Sequence, residues 1–188
     1  MIRRFGLLFV AVLLTTAAST EGMRPHAALD ARSDPFRSDF NRDRDKVRVV
    51  MLVSPRCPEC LHGASVVEGM LFARDSSSKL AGYAIWDPKL GAQEGDVAAG
   101  TTLASDPRIR HYWDASERIG TFYEPMLPTP GTKSWDVYMI FPPGVVWKGN
   151  APPKPAVWMH QLSHCEPSLF LDPQKFATDA EGLLVHSP

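Results

Sequence analysis

The 188 residues contain no G-x-S-x-G elbow, no phosphate-binding glycine loop and no dinucleotide fingerprint, and the carboxylates are scattered without a catalytic pairing. Hydrolase and transferase chemistry of those kinds therefore has no sequence support. An excess of charge of one sign is also lacking. Twenty Lys and Arg stand against 21 Asp and Glu, and no basic stripe is interleaved with aromatics. Nucleic acid is not an expected partner. There are no internal repeats or low-complexity tracts. Nor is there an apolar run of the roughly 20 residues that a membrane-spanning helix needs.

At 44% hydrophobic and 22% charged, the chain has the material for one well-buried domain and is short for two. Its first residues, MIRRFGLLFVAVLLTTAAST, run from Arg3 and Arg4 through an apolar stretch to Ala17, Ala18 and Ser19. That order is a secretory signal peptide, expected over 1–20 with cleavage near Ala18 to Thr20. A periplasmic or secreted protein of the cell envelope follows. No cysteine lies near the cleavage zone to carry a lipid, so no stable membrane anchor is expected after cleavage. Cleavage removes two basic and no acidic residues, leaving a mildly acidic mature chain.

Residues 21–46 are polar, mixed in charge and without apolar periodicity, and read as a flexible lead-in. Asp39, Asn41, Asp43 and Asp45 alternate like calcium ligands. Arg44 stands where such a loop needs Gly, however, and Val50 where it needs Glu, so calcium is not expected.

A domain over 47–188 is expected to open with VRVVMLV, a β-branched run read as a buried strand. From Glu59 to Arg74, Ala64, Val67, Met70 and Leu71 recur at helical spacing. Between strand and helix lies SPRCPEC, with Cys57 and Cys60 one helical turn apart. AGYAIWDP reads as a second strand, and an irregular helix is expected around Val97 to Ala104. Asp114 and Glu117 have capping-box spacing, which predicts a helix opening at Asp114. WDVYMIF and VVWKG, joined by Pro142-Pro143-Gly144, read as a hairpin. Asp172-Pro173 reads as the N-cap and first turn of a closing helix through Phe176, Ala180, Leu183 and Leu184.

With CPEC at the first strand-helix junction, this order resembles the thioredoxin-like superfamily. The resemblance implies an α/β fold with a central mixed sheet flanked by helices, and Cys57 exposed at a helix start. It also implies a thiol-disulfide oxidoreductase whose catalytic dithiol is Cys57 and Cys60 and whose partners are protein or small-molecule thiols and disulfides, with no cofactor. Free N–H groups and the helix dipole independently favour a thiolate at Cys57. Arg56 is expected to add to this and Glu59 to oppose it, while Cys60 is placed to resolve a mixed disulfide.

This chain departs from the redox-active members at two places. Pro55 and Arg56 replace the aromatic residue that precedes the motif. The cis-Pro that faces the cysteines has no counterpart, and counting back from Phe141 puts Asp136 in its place, with Pro128 and Pro130 in the loop before. A carboxylate buried there would disfavour the thiolate. Peroxiredoxins and Sco-type copper proteins share the fold and also lack that Pro. The Thr ahead of the peroxiredoxin cysteine is missing here, as is the Sco ligand His before the hairpin.

Two alternatives remain open for the pair. One is a copper-binding or copper-delivery module in which His160, His164 or Cys165 joins Cys57 and Cys60. The other is a non-catalytic interaction domain with a static disulfide. Cys165 alone reads as a buried thiol, His62 as a solvent-facing helix position, and Trp135 as a residue opposite the cysteine loop.

Overall fold

The computed structural model describes residues 23–129 and 133–185, so the expected signal peptide lies outside the described residues. Six strands form one mixed sheet in the order β1-β4-β3-β2-β5-β6. They are β1 His26–Ala28, β2 Val47–Val53, β3 Leu80–Trp86, β4 Ile109–Trp113, β5 Val137–Phe141 and β6 Val157–His160. The pairs β1-β4, β4-β3 and β3-β2 are parallel, while β5 is antiparallel to both β2 and β6. The helices are α1 Phe36–Arg42, α2 Pro58–Val67, α3 Val97–Thr101, α4 Arg118–Tyr123 and α5 Pro173–Val185. A π-helical turn over Glu68–Phe72 prolongs α2.

Every residue of β2 is buried, as expected of a central strand covered on both faces. Its side chains alternate. Val47, Val49, Met51 and Val53 join the core under α2 and α5, while Val50 and Leu52 join a second, aromatic core with Phe36, Phe40, Tyr83, Tyr112 and Trp147. Arg48, fully buried, points into the aromatic side. Its guanidinium donates to the carbonyls of Phe40, Lys46, Pro142 and Val145 and lies 4.2 Å from the Phe40 ring centroid.

The strand 47–53, the helix after the cysteines, the strand ending at Trp86, the short helix at Val97 and the closing helix stand where the residues suggested. Asp172 Oδ1 accepts the Lys175 amide at 2.9 Å, capping α5. Elsewhere the structure differs. From Met23 onward the stretch expected as a flexible lead-in is ordered. Residues 26–28 pair with β4, and α1 buries Phe36 and Phe40, one turn apart on one face. Two apolar residues in a seven-residue helix are too few for a periodicity to show. Strand β4, RIRHYW in its setting, was not expected at all.

The helix expected at Asp114 begins at Arg118. Asp114 Oδ2 accepts the Ile119 amide, but Glu117 is left-handed (φ 52°) and its carboxylate goes to Lys89 and Lys133 rather than back to the cap. The hairpin partner also differs. Pro142-Pro143-Gly144 does turn, with Gly144 at φ 86°, but β5 pairs with Val157–His160 and not with VVWKG. Arg48 fixes the carbonyls of Pro142 and Val145 and Trp147 inserts among Phe36, Phe40 and Phe122, so VVWKG is held over the aromatic core as a loop.

Candidate active site

Cys57 is the N-cap of α2, and Pro58, which has no N–H to satisfy, occupies the first helical turn. The cap role that a Ser or Asp oxygen ordinarily fills falls to sulfur, with the Cys60 amide donating to Cys57 Sγ at 3.1 Å. Both cysteines are free thiols. The exposure expected for Cys57 is not found. It is 3% exposed and Cys60 is fully buried.

The two thiols differ in acidity. Cys57 is held below the ordinary thiol range, first by a hydrogen bond from the Cys60 thiol and then by the Cys60 amide, against burial and the charges of Asp136 and Glu59. Cys60 is pushed up, first by burial and then by its role as donor to Cys57, with Asp136 adding to both. The opposition expected from Glu59 is therefore present, its carboxylate lying 3.8 Å from Cys57 Sγ. The support expected from Arg56 is redirected. Its guanidinium pairs with Asp96 at 2.9 Å and donates to the Gly91 carbonyl.

Asp136 stands where the count from Phe141 put it. It immediately precedes β5, is 2% exposed, and offers a carboxylate oxygen within 4.8 Å of both sulfurs. Burial raises its acid to about pKa 6, against the lowering hydrogen bonds from Tyr138 and Cys60, with Glu59 raising it further. Its backbone is left-handed (φ 50°), a conformation uncommon for a residue with a side chain and tolerated best by Asn and Asp. Trp135, half-buried beside it, packs against the core that contains the cysteines.

Tyr138, Gln161 and Gly63 complete the site and were not singled out by sequence reasoning. The Tyr138 hydroxyl lies 3.0 Å from Asp136 Oδ1, 2.7 Å from Gln161 Oε1 and 3.4 Å from the Cys60 carbonyl oxygen. A Cβ at position 63 would stand 2.0 Å from that hydroxyl, so only glycine lets α2 approach this close. The signal for Tyr138 was available, since residues two apart on a strand share a face and Asp136 had been placed. Gln161 carried none, because its approach depends on the β5-β6 pairing.

Among the described residues the grouping of potential ligand atoms is Cys57, Cys60 and Asp136; His160, His164 and Cys165 are not part of it. The His160 ring accepts the Leu162 amide at Nδ1 and meets the Glu166 carbonyl at Nε2, so both nitrogens are engaged in holding its own loop. Cys165 is buried, and burial raises its thiol. His62 is exposed, as expected of its helix position.

The sheet order, the antiparallel β5-β6 pair and a CxxC at the β2-α2 junction make the fold thioredoxin-like, with β4 set between β1 and β3. No helix among the described residues is long and apolar enough to cross a membrane. No family model matches the chain, and no curated protein matches it. Among solved structures it is similar to a secreted Mycobacterium tuberculosis disulfide oxidoreductase homologous to E. coli DsbE. The two are 13% identical with a TM-score of 0.45 over 74% of this chain and 83% of that one.

Proposed function

We propose that this chain is an exported thiol-disulfide oxidoreductase acting in the periplasm or outside the cell on protein or small-molecule thiols and disulfides. The observation that carries the reading is the asymmetry of the pair. Cys57 sits at the helix start with an amide on its sulfur and is the more acidic thiol, while Cys60 is buried and the less acidic.

In the reductive direction the Cys57 thiolate attacks one sulfur of a substrate disulfide, forming a mixed disulfide and expelling the other sulfur as a thiolate. Cys60 then loses its proton to the Asp136 carboxylate beside it and attacks Cys57 Sγ. The product is the Cys57-Cys60 disulfide and a second substrate thiolate, two electrons having passed to the substrate. Oxidation of a dithiol is the same sequence reversed. A carboxyl with a pKa of about 6 is matched to proton exchange near neutrality.

Replacing each cysteine separately tests this. Cys60→Ser should accumulate mixed disulfides with partner proteins, because attack proceeds and resolution cannot, whereas Cys57→Ser should trap almost none. Non-reducing electrophoresis of both variants from their native compartment reads the result. Equal trapping would remove Cys57 as the nucleophile.

A further inference from the structure

The Asp136 carboxylate, besides exchanging a proton with Cys60, makes a compact donor cluster with the two sulfurs. The three donors differ in kind, two sulfurs and one oxygen, and each lies within 4.8 Å of the others. They come from two places, the N-cap and first turn of α2 and the residue before β5, which meet where the Tyr138 hydroxyl lies 3.4 Å from the Cys60 carbonyl oxygen. Among the described residues no cationic side chain forms an ion pair with the carboxylate. The Asp136 backbone is left-handed, and the Tyr138 hydroxyl lies against the carboxylate, with one proton to share between Asp136 Oδ1 at 3.0 Å and Gln161 Oε1 at 2.7 Å. A ligating carboxylate is characteristically oriented by such an outer hydrogen bond.

We propose that Cys57, Cys60 and Asp136 form a binding site for a thiophilic divalent cation of the zinc class, open in the dithiol state and abolished when the two cysteines form a disulfide. Zinc takes thiolate at about 2.3 Å and carboxylate at about 2.0 to 2.2 Å in tetrahedral geometry, which puts its donors about 3.6 to 3.8 Å apart. The donors here need to close by about an ångström at most to reach that spacing. Three protein donors leave a fourth position for an exchangeable ligand, the arrangement of zinc sites that are not purely structural. Borderline zinc accepts both sulfur and carboxylate oxygen, while monovalent copper favours sulfur and gains little from Asp136. Binding displaces the protons of both thiols, and that of Asp136 when it carries one. Exchange with a protein or small-molecule disulfide, which takes up the two electrons and leaves as two thiols, joins Cys57 to Cys60, removes both thiolates and releases the ion. The proposal does not rest on the redox reading, since a dithiol that never exchanges with substrates would bind the ion equally well.

The experiment uses the reduced exported chain with Co2+ as spectroscopic probe and Zn2+ as competitor. A thiolate-to-cobalt charge-transfer band with tetrahedral ligand-field bands, saturating at one ion per chain and bleached by zinc, is expected. The oxidised chain should give neither and recover both on reduction. Asp136→Asn should weaken zinc binding more than about tenfold. Asp136→Cys should restore binding and raise the charge-transfer intensity in the ratio of three thiolates to two, a change that a merely structural role for Asp136 would not produce. Absence of the bands in the reduced wild type, or an Asp136→Cys spectrum with the two-thiolate intensity, would overturn the site. So would Asp136→Asn binding as tightly as wild type. None of these outcomes bears on mixed-disulfide trapping by Cys60→Ser, so the two readings fail separately.

Discussion

Asp43 and Asp136 are both buried carboxylates, one on the aromatic side of the sheet and one on the cysteine side, and they are handled oppositely. Asp43 accepts from Tyr83 at 2.6 Å, from Lys46 at 3.0 Å and from Arg110. Burial raises its acid, but these partners outweigh it and hold the pKa at about 2. Asp136 is also buried, its hydrogen-bond donors among the described side chains are the Tyr138 phenol and the Cys60 thiol, and burial, with Glu59 adding to it, raises its pKa to about 6. Arg48, on the same side as Asp43, forms no ion pair among the described residues, and four backbone carbonyls accept from its guanidinium. On the aromatic side the buried carboxylate meets cations; on the cysteine side the described partners of the carboxylate are neutral donors. A buried carboxylate met only by neutral donors costs stability when ionised, and under the proposed function its position beside the thiol pair gives that cost a use.

The comparison is broken most severely at Arg48. Arg48→Met keeps much of the volume but leaves several carbonyls without a donor, at roughly 1 to 3 kcal/mol for each that remains buried. A loss of about 3 kcal/mol or more in urea unfolding is expected, with the alkylation profile of Cys57 in the folded protein unchanged. A loss under about 1 kcal/mol would show that the loop carbonyls find water and that Arg48 is no anchor.

The two acids sharpen it next, through the sign of their pH dependence. A depressed pKa contributes stability that is present above the unfolded value near 4 and lost as pH falls through about 2. Asp43→Asn should therefore cost about 2 kcal/mol at pH 7, the cost fading in that acid window. A raised pKa acts inversely, since folding favours the proton and stability falls as pH climbs from about 4 through about 6. Asp136→Asn should stabilise the reduced protein by about 2 kcal/mol at pH 7 and by little near pH 4. Urea unfolding of both variants across pH, with a chelator present, reads this directly. Destabilisation by Asp136→Asn at all pH values would mean that Asp136 is structural like Asp43.

The smallest effect is expected at Arg56, which is half exposed and already paired with Asp96. Arg56→Ala should change stability by about 0.5 kcal/mol or less and leave the pH profile of Cys57 alkylation in place. A marked upward shift of that profile would show that Arg56 reaches the thiolate after all.

The residues of this chain determined by themselves whatever depends on neighbours a few positions away. The β-branched run 47–53 can only be a buried strand, Pro58 and Cys57 start a helix with a sulfur at its positive end, and Asp172-Pro173 starts another. Those local facts were enough to place the cysteine pair, while Asp136 was set opposite it by what the thioredoxin-like resemblance implies together with a count back from Phe141. Tertiary structure decided the rest. His26 to Ala28 is a strand only because β4 lies beside it, and Phe36 and Phe40 hold a helix only because Tyr83, Tyr112 and Trp147 receive them. VVWKG has the composition of a strand but lies as a loop, since Arg48 and the aromatic core compete for it and win. The acidity of Asp136 and the closeness of Tyr138 and Gln161 were likewise beyond the sequence. Both come from burial and from the β5-β6 register, and each depends on contacts between residues far apart in the chain.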